Sequence, residues 1–219
     1  MQNRINLTNV GHFFDTETDR IDLFENVSLE LQAGRSHAIV GPSGAGKSSL
    51  LTIMAGLDQP RRGAVTFHVD GRQVDAVGLR ARSGFVFQQF HLMPELDALA
   101  NLALPLRLKG DLDAHDKARN WLARVGLEGR AGHQPSRLSG GEQQRAAIAR
   151  AFISEPAFLF ADEPTGNLDA VTSTAVSDLM FECARESGCC MVVVTHSEAL
   201  ASRTDTGWML RDRRLEPIR

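Results

Sequence analysis

The sequence predicts an α/β fold with a parallel sheet buried on both faces, an antiparallel β flank and an inserted helical segment. Three observations carry this. Apolar runs of strand length, without polar alternation, recur as SHAIV (36–40), GFVFQ (84–88), AFLFA (157–161) and MVVVT (191–195). The early segments INLTNV, LFENVSLEL and GAVTFHVD instead alternate apolar and polar residues. Residues from about 91 to 152 carry helical spacing.

Each element has its reason. A strand covered by helices on both faces needs no polar side, so the unbroken runs read as parallel strands. Alternation reads as strands with one wet face, an antiparallel flank. In the middle segment Ala118, Trp121, Leu122 and Val125 share one helical face, and Gly126 stops that helix. Between the last two apolar runs, Val176, Leu179, Met180 and Cys183 repeat at i, i+3, i+4 and i+7, an amphipathic helix ending before Gly188. No repeat, low-complexity tract or linker divides the 219 residues, so they read as a single domain, 1–219, with the helical insertion at about 91–152.

Composition removes several function classes. The 24 basic and 27 acidic residues leave a net charge of −3, which argues against a general nucleic-acid binder. No apolar run reaches the length of a membrane span. The start, MQNRINLTNV, has neither an apolar h-region nor a small-residue cleavage site, which argues against export. Three cysteines, with Cys189 and Cys190 adjacent, match no disulfide framework or metal spacing and read as small apolar residues in a reducing cytosol.

The stretch GPSGAGKS fits G-x-x-x-x-G-K-[ST], with Gly41, Gly46, Lys47 and Ser48 at the fixed positions. It follows the strand HAIV and opens an apolar helix, the context that the motif requires. Gly41, Gly44 and Gly46 let the backbone curl around Pro42, so the N–H groups of Ser43, Ala45 and the helix start at Lys47, Ser48 and Ser49 can converge on one anion. The reading is a P-loop NTPase: Lys47 reaches the β- and γ-phosphates and Ser48 offers its hydroxyl to Mg²⁺.

The strand AFLFA runs into Asp162 and Glu163. Adjacent side chains at a strand end point different ways, so they can do different jobs. Asp162 is expected to hold the metal and Glu163 to polarise a water against the γ-phosphate. MVVVT runs into His196, at the edge where open α/β sheets bind ligands, where an imidazole could contact the γ-phosphate and orient Glu163 and its water. The other six histidines read as structural. Gln88 closes GFVFQ, and its amide oxygen could ligate Mg²⁺ and touch the attacking water.

A second glycine-bearing helix start lies at LSGGEQQR, residues 138–145. Ser139 and Glu142 have capping-box spacing, which explains those two residues. It does not explain Gly140 and Gly141, each costing about 1 kcal/mol of helix stability relative to alanine. Glycines there make sense where something approaches the backbone closely.

In this order, the P-loop, Gln88, LSGGEQQR, AFLFADE, GNLD with Asp169, and His196 resemble the ATP-binding subunit of ABC transporters, over nearly the whole chain. GFVFQQFHLMPELDALANLALPL and FADEPTGNLD are similar to the LolD/MacB/FtsE branch, and especially to its YbbA-type ATPases. The resemblance implies a RecA-like core, ATP and Mg²⁺ as ligands, and ATP hydrolysis. It also implies a head-to-tail homodimer, each ATP held between Lys47 of one copy and Ser139, Gly140 and Gly141 of the other, with Asp169 in the D-loop. An aromatic stacks on adenine in this family. The chain has no tyrosine, and LTNVGHFF aligns Phe14 there with Phe13 beside it, so the sequence leaves two rings for the role.

The implied partner is an integral membrane permease with a periplasmic domain, and the implied location is the cytoplasmic face of the bacterial inner membrane. The implied work is export or extraction of a lipid, lipoprotein, peptide or drug. A second class is a transmembrane signalling ATPase that regulates a cell-envelope enzyme without transport. A third is a soluble cassette protein of translation or DNA repair; those normally carry two cassettes or a long coiled-coil insertion, and 219 residues hold neither.

Overall fold

The computed structural model describes residues 3–16 and 19–218. They form two compact units: Met1–Ser83 with Ala157–Glu163 and Gly188–Arg219, and Gly84–Pro156 with Pro164–Ser187.

The first unit begins with β1 (Arg4–Asp15) and β2 (Arg20–Gln32), followed by β3 (Ser36–Val40) and α1 (Lys47–Met54). Next come β4 (Arg62–Val69), β5 (Arg72–Val74) and α2 (Ala76–Arg80). An antiparallel sheet runs in the order β2-β1-β4-β5. In β2 the alternation buries Leu29 and Leu31 and leaves Ser28 and Glu30 exposed, as a one-sided sheet requires. β1 breaks register between Leu7 and Val10, around Asn9 at φ 48°. Here Gly63 passes so close that an added Cβ would lie 2.3 Å from the Asn9 carbonyl oxygen, so only glycine fits.

The remaining strands of this unit are β7 (Phe158–Asp162), β8 (Cys190–Thr195), β9 (Thr206–Arg211) and β10 (Arg214–Pro217), with the short helix α7 (Glu198–Ala201) after β8. They stand in the order β10-β9-β3-β8-β7, with β9, β3, β8 and β7 parallel and β10 antiparallel to β9. Every residue of β8 and four of five in β7 are buried, which is the two-sided burial that their unbroken apolar sequence predicts. Register then fixes the site. Val40 pairs with Thr195 and Asp162 with Val194, so Gly41, His196 and Glu163 all leave from one edge.

The second unit contains β6 (Ser83–Phe87, from Gly84 onward), α3 (Ala98–Leu108), α4 (Ala114–Arg124), α5 (Gly140–Phe152) and α6 (Ala170–Ser187). Single 3₁₀ turns lie at Glu128–Arg130 and Pro135–Arg137. Ala98, Leu102, Leu106, Ala118, Leu122, Val125, Ala146 and Ala147 share one apolar cluster with Trp121 packed on it. Among them sits Asn101, fully buried. Its Oδ1 accepts from Met93 N at 2.7 Å, and its Nδ2 donates to the carbonyls of Met93 and Leu96 at 3.0 Å and of Asp97 at 3.1 Å. One side chain therefore pins the loop that leads into α3. Asn101→Ala strips those partners inside the core and should cost about 3 kcal/mol, read as a lower urea midpoint at unchanged slope.

Among the described residues, no helix is long and apolar enough to cross a membrane. Cys183, Cys189 and Cys190 are buried. Burial pushes the Cys183 thiol up to about 11, so it packs as a neutral apolar group.

Candidate nucleotide site

The loop between β3 and α1 is shaped by contacts that exclude side chains. At Gly41 an added Cβ would lie 2.3 Å from the Leu210 carbonyl oxygen; Gly44 has φ 79° and Gly46 φ 93°. Lys47 is folded back into the loop, its Nζ donating to the Gly41 carbonyl at 2.9 Å and the Pro42 carbonyl at 3.0 Å. That anchoring holds the ammonium buried over the loop with one donor to spare. No side chain caps α1 at Gly46, so the first N–H groups of the helix, and its positive end, are left for an anion.

Ser48 lies on the first turn of α1 and donates from Oγ to Asp162 Oδ1 at 3.1 Å. Burial pushes the Asp162 carboxyl above its ordinary range; the Ser48 hydrogen bond and Lys47 oppose that, while Glu163 adds to it. A neutral hydroxyl beside a partly buried carboxylate offers two hard oxygen donors, which would fit a divalent cation.

Glu163 follows directly and has a left-handed backbone, φ 45°. A non-glycine residue in that region is strained, and such strain collects where a side chain must be aimed. Glu163 N donates to the Val194 carbonyl at 2.9 Å. Its Oε1 lies 2.9 Å from His196 Nδ1, and its Oε2 accepts from Thr195 Oγ1 at 3.0 Å and from His196 N at 3.3 Å. The His196 side chain is 66% exposed, so its ring borders the carboxylate on one side and solvent on the other.

Phe14 and Phe13 separate. Phe13 has the Arg20 guanidinium 3.4 Å above its ring. Phe14 is 44% exposed and meets His12 edge-on at 5.1 Å; His12 stacks on Phe24, whose Cδ1 would lie 3.2 Å from a Cβ at Gly46. Alternation along β1 puts His12 and Phe14 on one face, and Phe24 carries that face to the phosphate loop. Of the two rings, Phe14 is the more exposed.

In the second unit Ser139 caps α5 in a complete capping box: its Oγ accepts from Glu142 N at 3.3 Å while Glu142 Oε2 accepts from Ser139 N at 2.8 Å. The Ser139 N–H and Arg130, at 2.9 Å, lower the Glu142 carboxyl to about 2. The two glycines prove unlike. A Cβ on buried Gly141 would lie 2.5 Å from Thr172 Cγ2 on α6, so that glycine answers to helix packing inside the chain. At Gly140 the nearest atoms would be Leu168 at 3.4 Å and Phe90 at 3.7 Å, ordinary contacts, so packing does not explain its lack of a side chain. Asp169 accepts from Val171 N and Thr172 N at 3.0 Å and from Thr172 Oγ1 at 2.6 Å, starting α6. Gln88, one residue beyond β6, donates from Nε2 to Asn167 Oδ1 at 2.9 Å, which leaves its amide oxygen as the end for a ligand.

The model for the family described as ABC transporter matches residues 24–166. The chain belongs to the ABC transporter family. It is the ATP-binding, ATP-hydrolysing subunit, or cassette, of such a system. It is similar to the lipoprotein-releasing system ATP-binding protein LolD of Legionella pneumophila (strain Paris), at 44% identity over 202 residues, 89% of each chain. LolD of Bordetella pertussis is 45% identical over 219 residues, covering 95% of this cassette and 93% of that protein. Among solved structures it is similar to the dimeric post-hydrolysis state of the ATP-binding cassette MJ0796 bound to ADP and Pi. That match has a TM-score of 0.85 at 36% identity, over 98% of this chain and 99% of the other. Thr195, Asn101 and Asn167, whose side chains hold Glu163, the loop before α3 and Gln88, have roles that no motif in the sequence marks. A hydroxyl ending an otherwise apolar strand was the one available signal for Thr195.

Proposed function

We propose that this cassette works as a head-to-tail homodimer on the cytoplasmic face of the inner membrane. There it drives a permease with a periplasmic domain that extracts lipoproteins or chemically similar lipid-anchored cargo. The carrying observation is the single strand edge that gathers Lys47, Ser48, Asp162, Glu163 and His196. Residues 1–219 act as one cassette, with the helical insertion at about 91–152 facing the permease. The LolD names of relatives that match over most of their length support the cargo class.

In this reading the loop from Gly41 to Ser49, with Pro42, Ser43, Gly44, Ala45 and Gly46, wraps the triphosphate, and Phe14 stacks on adenine. Lys47 carries the β- and γ-phosphate charge, and Ser48 and Asp162 hold Mg²⁺, with Gln88 as the further oxygen ligand offered by the sequence. Bound Mg²⁺ supplies charge neutralisation at the transferred phosphoryl group. Glu163 takes the proton of the attacking water, and His196 holds Glu163 and the γ-phosphate oxygens in place. Ser139, Gly140 and Gly141 of the partner subunit close over the same γ-phosphate, with the D-loop Asp169 alongside.

Fractionation tests the assembly. Co-expressed with a permease carrying a periplasmic domain, the cassette should move from the soluble fraction to the membranes and co-purify with the permease in detergent. Equal distribution with and without the permease, or capture on ribosomes or DNA, would overturn the reading.

A further inference from the structure

Thr195 is the last residue of β8, only 1% exposed, and the sole polar side chain of an otherwise apolar strand. A threonine hydroxyl has one hydrogen to give and can accept from others. Here the neighbouring chain decides where that hydrogen goes. Ser197 N donates to Thr195 Oγ1 at 3.0 Å, and the hydroxyl lies 3.0 Å from Glu163 Oε2, which can only accept when ionised. The hydrogen therefore points at the carboxylate. Ser197 is held in turn, because its own Oγ accepts from Leu200 N at 3.2 Å as the cap of α7.

We infer that Thr195 is a positioning residue for hydrolysis: its buried hydroxyl, oriented by the Ser197 N–H, fixes the rotation of the Glu163 carboxylate. The other donors to Glu163 come from residue 196, whose ring is largely in solvent. An exposed imidazole can swing as nucleotide arrives; a buried β-branched residue locked in a strand cannot. Thr195 is thus the fixed point of the clamp and His196 its movable arm. The left-handed backbone at Glu163 needs such a point, since strain persists only where surrounding contacts hold it. Tying Oε2 fixes the whole planar carboxylate, so Oε1 keeps one direction, and a swing of His196 leaves it open to a water. This rests on Glu163 as the residue that activates water.

Thr195→Val keeps the shape and removes the hydroxyl; Thr195→Ser keeps the hydroxyl. Steady-state ATPase assays should show kcat lower by about tenfold to a hundredfold in Thr195→Val, since a misaimed base loses rate steeply, with KM for ATP changed less than about twofold. Thr195→Ser should return kcat to within about threefold of the natural protein, a rescue that packing alone would not give. If Thr195→Val does not fold, Thr195→Ala takes its place against Thr195→Ser; equal rates in that pair overturn the inference. So does a Thr195→Val rate within about twofold of the natural protein while Glu163→Gln is inactive. If Glu163→Gln itself turns over normally, the reading of Glu163 has failed first.

Discussion

Glu163→Gln should lower ATP turnover by about a hundredfold to a thousandfold while leaving ATP binding intact, so that ATP drives a stable dimer seen by gel filtration or light scattering. The amide has the shape of the carboxylate and can still accept from Thr195 Oγ1 and His196 N. It cannot take a proton from water. In the proposed site binding would rest on other groups, Lys47 anchored on the Gly41 and Pro42 carbonyls and the uncapped start of α1, which the substitution does not touch. The cycle should therefore stop with ATP bound and the dimer closed. Full turnover in Glu163→Gln would remove Glu163 from its role, and loss of ATP binding would mean that the side chain supports the loop instead.

Mixing two inactive proteins should restore activity. Lys47→Ala removes the ammonium from one face of the triphosphate, and Ser139→Arg places a long cation at the open start of α5. Each alone should fall about a hundredfold or more, since each homodimer carries the defect at both sites. A mixed dimer holds one doubly damaged site and one sound site. Random pairing should give up to about a quarter of the natural rate at equal amounts, since half of the dimers are mixed and each has one working site of two. No recovery at any ratio would rule out a site shared between subunits. The structure narrows which part of LSGGEQQR this test reads. Gly141 is needed under Thr172 within the chain, so a bulky residue there would damage α5 packing, whereas a side chain at Gly140 would meet only ordinary contacts.

The phosphate loop was legible because its determinants are local: three glycines, a lysine and a serine within eight residues, between a strand and a helix. So was the capping box, whose spacing is set by one helical turn. The roles of the glycine pair were not equally legible, because Gly141 answers to Thr172, thirty-one positions away and met only when α5 packs on α6. The different surroundings of Phe13 and Phe14 were likewise not legible, because they depend on β2: Arg20 lies over the first ring, and the second meets His12, which stacks on Phe24.

By itself the sequence determined that parallel strands would be buried on both faces, that a helix start would lie bare after the first of them, and that acids and a histidine would follow two others. Apolar runs, glycine spacing and helical periodicity act over one strand or one turn, and a linear pattern records them. Only the tertiary structure decided that these strand ends share an edge and that a threonine thirty-two positions away donates to the Glu163 carboxylate. Strand order and register depend on which runs pair across the sheet, and that is a matter of burying area and satisfying backbone hydrogen bonds for the whole chain at once.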